Sequence, residues 1–273
     1  MLRIWAVIAG LYLGVFAVLG QAPPGNPVTL APEASAAYNP AGGTPTAGQG
    51  VADPVPQVMQ VYVMSAGPST GGSGNAAAAQ DGVESQGTAF YLDAGGQKVI
   101  VAPYHAWAMA GASPSSGQVY LAGQVKGTPA DGAKWTWWSE QARVLGADPA
   151  ADVVFLAVPP QLKDVDALVP AGSMAVGRRL HGSGYAGGMI RPNRFDGDIT
   201  YFGSETESAA GGWQLNFQGY GLQGGGVEPG DSGSPALTAD GRVAGEVVAA
   251  GNGWILVVPS TTIEQALAGL PKS

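Results

Sequence analysis

Gly87-Thr88-Ala89-Phe90-Tyr91-Leu92, a Gly95-Gly96 pair, and Val99-Ile100-Val101-Ala102-Pro103-Tyr104-His105-Ala106 form the stretch whose reading decides the fold. β-Branched and aromatic residues crowd both runs, and the glycine pair between them signals a tight turn. The stretch therefore reads as strand, turn, strand. The same grammar repeats outward. Strands are expected at Val58–Met64, Thr88–Leu92, Lys98–Ala102, Gln118–Ala122, Lys134–Trp138, Ala142–Leu145 and Val153–Val158. Further strands are expected at Arg179–Gly182, Asp198–Phe202, Trp213–Phe217, Ser234–Leu237, Val243–Ala249 and Trp254–Val258. Many short strands parted by glycine-rich turns point to an all-β barrel or sandwich. Residues 159–171 hold three prolines and read as a crossover. The soluble helix expected is Ser260–Leu270, with Ser260 as N-cap and Ile263, Ala266, Leu267 and Leu270 on one face.

Composition narrows the function. Of 273 residues 45% are apolar, which allows a full core, while 44 glycines and 21 prolines favour turns over long helices. The net charge of −8 argues against nucleic acid as a partner, because phosphate binding needs a basic face. With no cysteine, a disulfide, a thiol nucleophile and a thiolate zinc site are excluded. The acid pairs Asp164/Asp166 and Asp196/Asp198 read as solvated turns, so no metal or other cofactor is expected. Trp135, Trp137 and Trp138 read as sheet packing. Only His105 and His181 can supply a catalytic imidazole.

The chain divides into three expected parts. Residues 1–20 open with Arg3 and continue in an apolar run from Ile4 to Leu19, which reads as a signal peptide or membrane anchor. The protein is thus expected to be exported, periplasmic or secreted, with a membrane tether if the segment stays attached. Residues 21–54, rich in Ala, Pro, Gly and Thr, cannot bury enough apolar surface to offset their chain entropy and read as a disordered linker. Residues 55–273 carry the folded domain, with a second Gly/Ser/Ala-rich flexible stretch at 65–85.

The sharpest motif is Gly230-Asp231-Ser232-Gly233-Ser234-Pro235. A serine hydroxyl is a weak nucleophile; it needs a base within hydrogen-bond reach and donors for the oxyanion that develops. A glycine-rich turn can aim backbone N–H groups that way. The hexapeptide resembles the active-site signature of the chymotrypsin/trypsin family of serine proteases. The stretch from Gly87 to Ala106 is similar to that family's strand, turn and strand into its histidine. Ala151-Asp152-Val153-Val154-Phe155-Leu156-Ala157-Val158 is similar to its acidic segment opening an apolar strand, and Gly241–Gly245 and Ile255–Ser260 resemble its closing strands. The order His, Asp, Ser is the family's own.

That resemblance implies two six-stranded antiparallel β-barrels, about 55–158 and about 172–259, with a short C-terminal helix. It implies a serine endopeptidase acting on polypeptide substrates, with His105 as base, Asp152 as orienting acid and Ser232 as nucleophile. The N–H groups of Gly230 and Ser232 would form the oxyanion hole. Gly226 would lie near the base of the primary pocket, and Val247, Val248 and Ala249 would wall it. A pocket base without charge gives no support to a Lys or Arg preference. Asp231 would pair with a cation that orders the loop, for which Arg178, Arg179 and Arg242 are candidates. The chain departs from the family at Ala106, where cysteine or valine is common, and at Ser234, which replaces a second glycine. Asp148 is the rival acid, but the apolar strand begins only after Asp152; His181 reads as structural. Gly67-Pro68-Ser69-Thr70-Gly71 matches the nucleophile elbow of α/β-hydrolases, but glycines follow where a helix should start. A protease-like fold that only binds partners is the alternative function.

Overall fold

A computed structural model describes residues 55–64, 83–115, 117–126, 134–186, 192–208, 214–251 and 253–271. The expectations for residues 1–20, 21–54 and most of 65–85, Ser69 included, lie outside these. Each expected strand has a counterpart. The first half carries β1 (Val58–Met64), β2 (Val83–Ala94), β3 (Gln97–Pro103), β4 (Gln118–Lys126), β5 (Trp135–Ala142), β6 (Val144–Asp148) and β7 (Val153–Leu156). The second carries β8 (Arg179–Gly184), β9 (Asn193–Ser208), β10 (Gln214–Gly225), β11 (Pro235–Leu237), β12 (Val243–Gly251) and β13 (Trp254–Pro259).

The second half is a closed barrel in the order β10-β13-β12-β11-β8-β9. The first is an antiparallel sheet in the order β5-β4-β1-β2-β3-β7-β6, the seven strands of the sequence pattern where the resemblance implied six. The extra strand comes from a bend. Only Arg143 separates β5 from β6, so the two edges of this sheet are halves of one bent strand. The Arg143 carbonyl still accepts the N–H of Ala157 at 2.8 Å. The sheet thus wraps until its edges meet through the chain.

Alternation along the strands builds three cores. In the first unit Ala89, Tyr91, Ile100, Ala102, Val154 and Leu156 point inward to one apolar cluster. Their neighbours Phe90, Leu92, Val99, Val101, Val153 and Phe155 point outward. They meet Val243, Val248, Ala249, Leu256 and Val258 of the second unit. Both faces of β2, β3 and β7 are therefore buried, which is why these strands read as continuous apolar runs. A third cluster, including Leu180, Ile199, Leu222, Val247 and Val257, fills the closed barrel.

Among the described residues two α-helices, with a 3-10 turn at Pro160–Leu162, complete the architecture. Helix α1 (His105–Met109) is a single turn that the sequence pattern missed, because five residues are too few to display a helical period. Helix α2 (Ser260–Ala268) is the expected one. Ser260 is not its cap: the N-cap is Pro259, and the Ser260 hydroxyl reaches the carbonyl of Gly172 at 3.5 Å instead. Ile263, Ala266 and Leu267 of α2 pack into the cluster between the two units.

Candidate active site

The site begins at the end of β3. Pro103 has no N–H to extend the ladder, and the chain turns there into α1 with His105 as its first helical residue. Asp152 clasps this turn three times. Its carbonyl accepts the N–H of Tyr104 at 2.9 Å, its Oδ1 accepts the N–H of His105 at 2.7 Å, and its Oδ2 lies 2.7 Å from His105 Nδ1. Asp152 is fully buried and His105 nearly so. The carboxylate thus both satisfies an orphan donor at the helix start and orients the imidazole.

Asp152 has φ 55°, and among the described residues it is the one non-glycine at positive φ. That conformation costs roughly 1–3 kcal/mol in a non-glycine residue. It is held by the turn before β7, where Asp148 Oδ1 accepts the N–H groups of Ala150 at 2.9 Å and Ala151 at 3.3 Å. The rival acid is therefore a turn former that aims Asp152.

The Gly230–Pro235 loop lies against the first unit. The Ser232 carbonyl accepts the N–H of Thr88 at 2.8 Å, and the Thr88 hydroxyl donates to the Gly230 carbonyl at 2.9 Å. Gly233, at φ 90°, sits so close that a Cβ there would lie 1.9 Å from the Thr88 carbonyl and 2.5 Å from Pro103 Cδ. Gly233, the residue after Ser232, thus packs on Pro103, two residues before His105, across a contact only glycine allows. Ser232 Oγ lies 3.5 Å from the Val248 carbonyl. Within the loop, Asp231, Gly233 and Ser234 donate to backbone carbonyls; among the described residues Gly230 and Ser232 do not.

Asp231 is fully buried beside the nucleophile candidate. Its Oδ2 accepts Asn193 Nδ2 at 2.7 Å and the Glu228 N–H at 2.8 Å. The same Asn193 amide donates to the Gly226 carbonyl. Burial pushes the Asp231 carboxyl up to about 7, against the pull of these bonds. The arginines expected to balance it are placed elsewhere. Arg179 pairs with Asp196 and Asp198, Arg242 donates to the Pro170 carbonyl, and Arg178 acts on Asp240.

The expected pocket residues divide. Gly226, at φ 90°, has its Cα against Arg194 and Phe195, where a Cβ would come within 2.5 Å of a carbonyl oxygen. Val247, Val248 and Ala249 are all buried, Val247 in the closed barrel and the other two between the units. Their side chains belong to the core, and what they turn toward the serine loop is backbone: the Val247 carbonyl accepts the Gly233 N–H at 2.7 Å. His181 is exposed on β8, paired with Leu237 and Asp196 in register, and takes no part in this cluster. Thr88 and Asn193 were not singled out in the sequence. Their partners lie 142 and 38 residues away, so no local pattern marks them.

No protein-family model and no curated protein sequence matches the chain. Solved structures do. The Rv3671c protease of M. tuberculosis in its active form is 21% identical, covers 86% of this chain and 95% of its own, and superposes with TM-score 0.56. Deg5 is 19% identical over 77% of this chain and 86% of its own, with TM-score 0.54. The HtrA-type protease AlgW, solved with a tripeptide, is 18% identical over 78% of this chain and 59% of its own, with TM-score 0.53. At these identities the likeness is one of fold: the chain has the two-unit β architecture of trypsin-like serine proteases, built without cysteine.

Proposed function

We propose that the protein is a serine endopeptidase in which Ser232 is the nucleophile, His105 the general base and Asp152 the orienting acid. The observation that carries the reading is the His105–Asp152 clasp at 2.7 Å, buried beside a Gly-Asp-Ser-Gly loop pinned to β2 and Pro103. With Nδ1 held by Asp152, proton transfer falls to Nε2. Ser232 Oγ attacks the peptide carbonyl carbon as His105 takes its proton. The N–H groups of Gly230 and Ser232 receive the oxyanion, which is where preorganised donors contribute most. Collapse passes the proton from His105 to the leaving amine and leaves an acyl group on Ser232. A water deprotonated by the same imidazole then hydrolyses it.

Polypeptides are the substrates this reading requires, and the apolar run of residues 1–20 favours export as part of the same reading. A peptide-library cleavage assay on the full chain tests the activity. Cleavage is expected for the parent, none for Ser232→Ala, and a loss of about 10⁴ in turnover for a folded Asp152→Asn. Equal cleavage by parent and Ser232→Ala would leave the reading without its nucleophile.

A further inference from the structure

Asp231 poses a physical problem that the proposed reaction leaves open. A carboxyl group with no solvent exposure sits one residue before Ser232, and a buried charge is costly unless it is paired. Among the described residues no lysine or arginine pairs with it. Its Oδ1 faces Gly184, where a Cβ would lie 2.6 Å away, and this oxygen has no hydrogen-bond partner. Oδ2 takes the Glu228 N–H and Asn193, and the backbone N–H of Ala186 also pulls on the carboxylate.

Asn193 is well placed to carry this load. It opens β9, where it pairs in register with Gly184 of β8, so its backbone belongs to the closed barrel. Its side chain is buried, and its two amide hydrogens serve two points of the loop, Asp231 Oδ2 and the Gly226 carbonyl. One neutral side chain thus joins the two ends of the 226–231 segment to the scaffold.

We propose that Asn193 is a positioning residue that stands in for a cation at Asp231, keeping the Gly226–Ser232 loop ordered while Asp231 is ionised. This rests on the peptidase reading for the meaning of that order, not for the order itself. The sign follows from linkage. Asp231 is raised from its ordinary 3.8 to about 7 in the ordered loop. The ordered loop therefore holds its proton more tightly than a loosened one, is most favoured below about 4, and loses that advantage as pH rises through about 7. The charged side chain acting on Asp231 is Glu228 of the same loop, which disfavours ionisation further. From β2, β8 and β9 come Thr88, Gly184 and Asn193, none of which titrates. Above about pH 7 the ordered loop must therefore hold Asp231 ionised. Asn193 binds the ionised form and makes that compatible with an ordered loop.

Hydrogen exchange of the peptide spanning 226–234, in the full chain and corrected for intrinsic rates, tests this at pH 5.5 and 8.5. In Asn193→Ala, protection is expected to fall about tenfold or more at pH 8.5, as for a lost bond to a charged group, and little at pH 5.5. Adding Asp231→Asn should restore it at pH 8.5, because no charge is left to compensate. Equal loss at both pH values, no loss, or no restoration would overturn the proposal. Should Asn193→Ala not fold, Asp231→Asn alone decides: its loop protection must vary less with pH than the parent's, and an unchanged dependence refutes the idea. If protection behaves as expected while Ser232 resists an active-site probe, the peptidase reading falls and the role of Asn193 stands.

Discussion

At the scale of single residues, the site holds more acid than its proposed chemistry uses. Asp152 earns a strained backbone through three bonds to the His105 turn. Glu246 has no such return. It lies fully buried on β12, opposite Pro235 and Val258, and neither carboxyl oxygen has a hydrogen-bond partner among the described residues. Burial pushes its pKa well up, and the charge of Asp152 adds to the shift. A carboxyl raised in the folded state supports stability below its unfolded pKa and loses that support as pH rises through the folded value. Urea unfolding should therefore find Glu246→Gln more stable than the parent at pH 8, with the gap closing toward pH 4. Greater parental stability at pH 8 would mean that Glu246 has a partner this account lacks. The residues that read from sequence were those with a local signature: Ser232 inside Gly-Asp-Ser-Gly, His105 after an apolar strand, Asp152 before one. Glu246 sits in Val243-Ala244-Gly245-Glu246-Val247, which reads as an ordinary strand, and nothing in that pattern tells that both faces of β12 are covered.

At the scale of elements, the strands were legible because alternation and glycine turns are local, whereas closure was not. The pattern gives Lys134–Trp138 and Ala142–Leu145 as two strands; that they are halves of one bent strand emerges only from their pairing with β4 and β7. Helix α1 escaped for want of length. Helix α2 was legible by its apolar face, and its place explains why that face exists: Ile263, with no exposure, closes the cluster between the units. Ile263→Ala should destabilise the fold by about 2–5 kcal/mol in chemical unfolding. A change under about 0.5 kcal/mol, the range of a surface substitution, would show that α2 is not part of the core.

At the scale of the whole molecule, the serine loop belongs to the second unit but is fastened to the first through Thr88, Pro103 and Gly233. The interface between units thereby sets the proposed site, as expected for a cleft built from two packed domains. Residues 1–20 add the expectation of export; N-terminal sequencing of exported protein should begin after Gly20 or nearby, and a cytosolic protein that keeps Met1 would contradict it. The central claim is that His105 and Asp152 activate Ser232, and its most direct test is covalent. A fluorophosphonate probe, located by peptide mass spectrometry, reports the activated serine, because only such a serine attacks phosphorus readily. The expected result is a single adduct on Ser232, absent in Ser232→Ala, severely reduced in His105→Ala and retained in His181→Ala. An adduct on Ser69, or undiminished labelling in a folded His105→Ala, would contradict the account.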